Sequence, residues 1–283
     1  MSGANSARFL SLAVRFPSGY HRLHGEILLP TSVEDRSRPA VILCHGLGSD
    51  GRAMRPSAMN LAQRGVLTLV FDFHGHGQSS GVCDGQLSQD VVSAVSYLQG
   101  WPQVDRGRIA LVGHSIGARS AILAAPEIPP LKALVSLACP GDEPGRSSQE
   151  LEAFYRQLPW EEVVEYPVAG PLPWLGTAQG LVSRTWMWLR GYRLRIDWRK
   201  SLAVWSKLKA SLALSRINPI PLLFVHCRGD RAAPYQASVA LYEQAKPPKE
   251  LFITPGGFHS TPLLPGKVRE RWVTWLVSVL KET

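Results

Sequence analysis

The stretch Gly113-His114-Ser115-Ile116-Gly117 constrains this chain more than any other. It follows the apolar run Arg108–Val112 and leads into Ala118–Ala125, which carries a helical pattern. A serine flanked by glycines two residues away on each side, between a strand and a helix, fits a turn too tight for side chains at the flanking positions. Such a turn lifts the hydroxyl clear of a sheet and sets it at the positive end of the following helix. Gly-x-Ser-x-Gly also arises as a chance small-residue turn, so the remainder of the chain has to decide.

Around it, short apolar runs alternate with helical patterns. Arg8–Phe16 and Tyr20–Leu29 read as a hairpin about Pro17-Ser18-Gly19. Pro39–Cys44, Val66–Phe71, 108–112, Leu131–Ala138, Leu222–His226 and Glu250–Thr254 read as further strands, mostly continuous apolar runs of the kind buried on both faces. Helices are expected from about Pro56, over Leu87–Leu98 with Ser88 as cap, over Ala118–Ala125, over Gln236–Ala245 and over Lys267–Leu280. The alternation predicts an α/β fold: a mostly parallel, eight-stranded sheet with helices on both faces. The 142–216 segment has a different character and reads as a helical lid inserted after the sixth strand, leaving 1–141 and 217–283 as the core. Six of the nine tryptophans fall there: Trp160, Trp174, Trp186, Trp188, Trp198 and Trp205. Trp198, Leu202, Trp205, Leu208 and Leu212 recur at helical spacing and predict one apolar stripe.

The net charge of +9 is local rather than global. Nine Lys and Arg stand against Asp197 alone between Arg184 and Arg216, while 142–167 holds seven acids against Arg146 and Arg156. That distribution argues against a nucleic-acid partner. The preferred reading is that the tryptophans pack onto the core and line an apolar pocket while the basic residues form a solvated face. The alternative is peripheral contact with anionic lipid. No run of about 18 uncharged apolar residues occurs, and Met1–Phe16 lacks the pattern of a secretory leader. Cys44, Cys83, Cys139 and Cys227 have no metal spacing and read as reduced core thiols. The expectation is a cytoplasmic protein with no metal and no cofactor.

A serine hydroxyl is a weak nucleophile until a base takes its proton, and the base needs a third group to orient it. Downstream of Ser115 the chain supplies both at strand ends. Asp230 lies in Gly229-Asp230-Arg-Ala-Ala-Pro234, and His259 lies in Pro255-Gly-Gly-Phe-His259-Ser260. Both loops leave the carboxyl edge of the expected sheet, where Ser115 also sits and where open parallel sheets place their sites. The order serine, aspartate, histidine completes the pattern. Asp142, after another strand, is the alternative acid.

With the His-Gly loop at 45–46 and Asp-x-x-Gly-x-Gly-x-Ser at 72–79, these residues resemble the serine hydrolases of the α/β-hydrolase superfamily. The pattern is nearest to lidded esterases, monoglyceride-lipase-like enzymes and related peptidases. The resemblance covers most of 20–140 and 217–283; the insertion matches no particular subfamily. It implies an oxyanion hole from the backbone N–H groups of Leu47 and Ile116, with Gly113, Gly117, His45 and Gly46 supporting the elbow and its facing loop. His114, Trp186 and Trp205 are candidates for the pocket wall, His114 with the alternative of packing beneath the serine. The activity implied is cleavage of a small-molecule carboxylic ester, with an apolar acyl group, through an acyl-enzyme on Ser115. Amide, peptide or thioester hydrolysis and acyl transfer would use the same residues, and a non-catalytic ligand-binding protein of this fold is the reading from a different class. Gly46-Leu-Gly48-Ser-Asp-Gly51 also spells a dinucleotide fingerprint. A helix opening near Pro56 would carry its amides away from a pyrophosphate at those glycines.

Overall fold

The computed structural model describes residues 9–31, 37–128, 131–142, 163–166 and 189–282. Eight strands form one sheet: β1 (Phe9–Ser18), β2 (His21–Pro30), β3 (Arg38–Cys44), β4 (Leu67–Phe71), β5 (Val104–His114), β6 (Ala133–Leu137), β9 (Leu222–Cys227) and β10 (Lys249–Thr254). Their order is β1-β2-β4-β3-β5-β6-β9-β10. From β4 through β10 every neighbouring pair is parallel; β1 and β2 add an antiparallel edge. The apolar runs are strands because both faces are covered. In β3, Val41 and Leu43 point to one side while Ala40, Ile42 and Cys44 point to the other.

One side is packed by α1 (Gly51–Gln63) and the final helix α7 (Lys267–Lys281), with Met54, Leu61, Trp272 and Leu276 fully buried. The other is packed by α2 (Leu87–Gln99), α3 (Ile116–Ala124) and α6 (Tyr235–Gln244), with Leu87, Val91, Ile122 and Leu241 at its centre. All four cysteines are buried and free. Among the described residues no helix is long and apolar enough to cross a membrane.

Two boundaries depart from the sequence pattern. Helix α1 opens at Gly51 rather than near Pro56, because the Asp50 side chain accepts the Arg52 N–H and caps it there; Pro56 is carried inside the helix. Helix α2 follows Gln86 with no side-chain cap, so Ser88 has no capping role.

Between β6 and β9 the pattern suggests a wholly helical insertion. Its described part also contains an antiparallel ribbon, β7 (Val163–Tyr166) with β8 (Leu194–Asp197), followed by α4 (Trp198–Lys207) and α5 (Ala210–Arg216). Strand β8 is zipped onto the 75–83 loop: Arg195 N–H reaches the Gly75 carbonyl at 2.7 Å and Cys83 N–H reaches the Arg195 carbonyl at 2.8 Å. The expected stripe Trp198–Leu212 is split at Leu208-Lys209. Trp198 is buried and Leu202 and Trp205 pack on the core, but Leu212 is exposed. Two charges impose the split. Arg119 on α3 donates to the carbonyls of Trp205 (2.7 Å) and Leu208, closing α4. Asp142, just after β6, accepts the N–H groups of Ala210 and Ser211, opening α5.

The loop after β4 is pinned by a buried ion cluster. His74 Nδ1 lies 2.7 Å from Asp90 Oδ2 on α2, and Nε2 lies 3.1 Å from Asp84 Oδ1. Burial alone would lower the His74 pKa; hydrogen bonds and charge from the two aspartates outweigh it and raise it to about 9. The imidazolium therefore contributes its stabilisation in full below the ordinary value of 6.5, and loses it as pH rises through about 9. Thermal unfolding of wild type and His74→Gln should show a wide Tm gap at pH 6 that narrows above pH 9. A gap independent of pH would mean that His74 is held by packing rather than by charge.

Candidate active site

The loops leaving the carboxyl ends of β3, β4, β5, β9 and β10 gather at one edge, bringing in His45–Gly48, Asp72–Ser79, Ser115, Asp230 and His259. Ser115 joins β5 to α3 with φ 56 and ψ −125, a backbone that L-residues rarely adopt. Its N–H donates to the Leu137 carbonyl at 2.8 Å, tying the turn to β6. The flanking glycines are steric requirements. A Cβ on Gly113 would collide with the backbone of Ala118, and one on Gly117 with the carbonyls of Cys44 and His45.

The loop after β3 runs against this elbow: a Cβ on Gly46 would sit 3.2 Å from Ser115 Cβ and 3.1 Å from His114 Nδ1. His45 braces the loop, its Nδ1 2.8 Å from the Gly46 carbonyl and its Nε2 accepting the Phe73 N–H at 3.0 Å. Burial lowers its pKa, which keeps the ring neutral for that pair of bonds. Ile116 is the first residue of α3, and among the described residues neither its amide nor that of Leu47 donates to another protein group. Both are free to receive an anion.

Asp230 is buried. Its Oδ1 accepts the Ala232 and Ala233 N–H groups at 2.8 and 3.0 Å; its Oδ2 lies 2.7 Å from His259 Nδ1. The same Oδ2 lies 3.1 Å from Nε2 of His226, a contact that the sequence reading missed. Burial would raise the Asp230 pKa, but the hydrogen bonds from His226 and His259, the charge on His259 and the Ala233 amide hold the carboxyl well below the usual carboxylate range. The acid and histidine loops touch through backbone. A Cβ on Gly229 would collide with the Gly257 carbonyl, so a bare backbone at 229 lets Asp230 come within reach of His259. The glycines of Gly229-Asp230 and Gly256-Gly257 were the available signal for that approach.

His114 sits beneath this arrangement. It is buried, its Nε2 donates to the His259 carbonyl at 2.9 Å, and the two rings are 4.7 Å apart. Burial, reinforced by His259, pushes its pKa down to about 3, so the tether is a neutral N–H.

Other candidates have other partners. Asp142 is spent on the start of α5. Trp205, half-buried on α4, donates from its indole N–H to the Gly85 carbonyl at 3.0 Å. Trp186 lies outside the described residues. The fingerprint at 46–51 does precede a helix opening at its third glycine, contrary to the sequence expectation. Its amides are nevertheless taken: Gly51 N–H donates to Asp72 Oδ1 at 2.8 Å and Arg52 N–H to Asp50 Oδ1 at 2.9 Å. Two carboxylates stand where a pyrophosphate would have to bind, and they repel it.

The Ser115 backbone yields a stability test. Glycine adopts φ 56 without the steric cost of about 1–3 kcal/mol that a side chain incurs there, and loses about 0.5–1 kcal/mol in folding entropy. Ser115→Gly should therefore raise Tm by roughly 2–4 °C. A lower Tm would show the elbow to be relaxed around the serine.

Comparisons with known proteins bear on the family and the fold. A protein of Mycobacterium tuberculosis, itself uncharacterized, is 30% identical over 235 residues, covering 82% of this chain and 67% of its own. A hypothetical protein from Pseudomonas aeruginosa has a similar structure, with a TM-score of 0.78 at 21% identity over 96% of this chain and 94% of that one. An esterase of Pyrococcus furiosus is also similar, at a TM-score of 0.66 and 21% identity, over 96% of this chain and 91% of that one. The model of the alpha/beta hydrolase family matches residues 41–271, most of the chain, and the protein belongs to that family.

Proposed function

We propose that this protein is a serine hydrolase acting on carboxylic esters of small molecules, with Ser115 as nucleophile, His259 as general base and acid, and Asp230 as the group that orients His259. One observation carries the reading: Asp230 Oδ2 lies 2.7 Å from His259 Nδ1, at the sheet edge that also holds the strained Ser115. A carboxylate on Nδ1 keeps the hydrogen on that nitrogen and leaves Nε2 unprotonated, ready to take a proton from the serine hydroxyl. It also favours the imidazolium that follows.

In the proposed sequence, Ser115 Oγ attacks the acyl carbonyl as His259 Nε2 takes its proton. The tetrahedral oxyanion is held by the Leu47 and Ile116 amides, each such donor being worth about 10²–10³ in rate. His259 then protonates the departing alcohol, and a water activated by the same nitrogen releases the acid from Ser115. No step draws on a metal or an organic cofactor. A solved structure of similar fold, from Pyrococcus furiosus, is an esterase, which makes an ester the bond to test first, and the tryptophan content of 142–216 supports an apolar acyl group.

Hydrolysis of p-nitrophenyl esters from acetate to palmitate, with fluorophosphonate labelling, tests this. Ser115→Ala should lose the label and at least about 10³-fold in kcat, and Asp230→Asn should lose about 10³–10⁴-fold with the label reacting slowly. Wild type that neither turns over an ester nor labels would sink the proposal. Labelling without ester turnover would retain the nucleophile and exclude the ester.

A further inference from the structure

We infer that His226 is a positioning residue for Asp230, sharing with His259 a single oxygen of that carboxylate, and that Ser238 holds the His226 ring in the tautomer this requires. The inference rests on the reading of Ser115, His259 and Asp230 above and deepens it. His226 is the penultimate residue of β9 and is fully buried. Its Nε2 lies 3.1 Å from Asp230 Oδ2 and 3.0 Å from the Ala233 carbonyl, two groups that can only accept, so the hydrogen is on Nε2. Its Nδ1 lies 2.7 Å from Ser238 Oγ on α6, and that hydroxyl can donate. A neutral ring with Nε2–H satisfies all three partners at once.

A buried histidine with satisfied nitrogens is common core furniture. What sets this one apart is the atom it reaches. Oδ1 of Asp230 is already saturated by the Ala232 and Ala233 amides, whereas Oδ2 is the oxygen facing His259. A donor on Oδ2 from the sheet side does two things. It fixes the carboxylate plane, so that Oδ2 presents to His259 Nδ1. It also draws charge from that oxygen, so that Asp230 holds the His259 imidazolium less tightly than a carboxylate without this second donor would. The Ser238 hydroxyl polarises the ring and strengthens the donation. Among the described residues, the titratable groups facing Asp230 and His259 are His226 from β9 and His114 from the end of β5; Cys227 lies behind Gly257 in the adjoining loop. His114 is neutral in the working range, so a change in His259 titration on altering His226 reports the carboxylate between them.

The test pairs kinetics with ring-nitrogen NMR of the histidines. His226→Leu should lower kcat for p-nitrophenyl acetate by about 10-fold or more with KM within about twofold, because orientation rather than binding is lost. The His259 titration and the acid limb of the pH–rate profile should move to higher pH by about half a pH unit or more. His226→Gln can return an amide N–H toward the Nε2 position and should restore the wild-type profile to within about threefold. Ser238→Ala should shift the titration in the same direction but less, and with His226→Gln it decides the matter if His226→Leu does not fold. A folded His226→Leu, or Ser238→Ala if the leucine variant is insoluble, with His259 titrating as in wild type and kcat unchanged overturns the inference. Wild type silent towards esters and fluorophosphonate defeats the esterase reading separately, and the NMR titration still decides the role of His226.

Discussion

The first turn of α3 is wedged into the sheet, and the site is built around that wedge. Gly117 packs where any side chain would strike the carbonyls of Cys44 and His45, and the Ser115 N–H is taken by the Leu137 carbonyl. The elbow is therefore gripped by the ends of β3 and β6, the two strands that flank β5. This leaves Ser115 one backbone geometry and fixes where its neighbours must come from. The loop after β3 already lies alongside, and β9 and β10, beyond β6, bring Asp230 and His259 from the other side.

Histidine does several different jobs at this edge, and partners rather than position assign them. His74 lies between two aspartates and is held charged. His45 and His114 are buried among backbone groups and held neutral, one bracing the loop after β3 and the other tethering the carbonyl of His259. His76, also buried, has a pKa pushed well below the ordinary value by burial, and its Nε2 has no partner among the described residues. His226 and His259 meet on one carboxylate oxygen. Six of the eight histidines thus span charged pin, neutral brace and proposed base.

Most of the sheet was legible because each strand is a short apolar run closed by a turn signal, and the observed limits of β3, β4, β9 and β10 lie within about two residues of those runs. Ser115, Asp230 and His259 were legible as a set because each follows a strand directly, so topology alone carries them to one edge. What escaped has a shared cause: the deciding partner is remote in sequence. Asp50 and Asp72 overrule Pro56 at the start of α1. Arg119 and Asp142 cut a stripe whose spacing runs unbroken from Trp198 to Leu212. The ribbon strand β8 pairs with β7 but is also bonded to the 75–83 loop, more than a hundred residues earlier. His226 looked like the end of a strand, since nothing in a one-dimensional pattern tells which oxygen a buried ring will reach.

The Arg119 and Asp142 contacts give the junction with the insertion an unusual economy. The bonds that Arg119 and Asp142 make there end on backbone: carbonyls at the end of α4 and amides at the start of α5. These two charges recognise a break between two helices, while the Trp205 indole and the Ser201 hydroxyl, bonded to the Gly85 and Cys83 carbonyls, fix which face of α4 lies on the core. The helix that carries Ser115 at its start is thus braced from above by the insertion, through Arg119, as well as from below by the sheet.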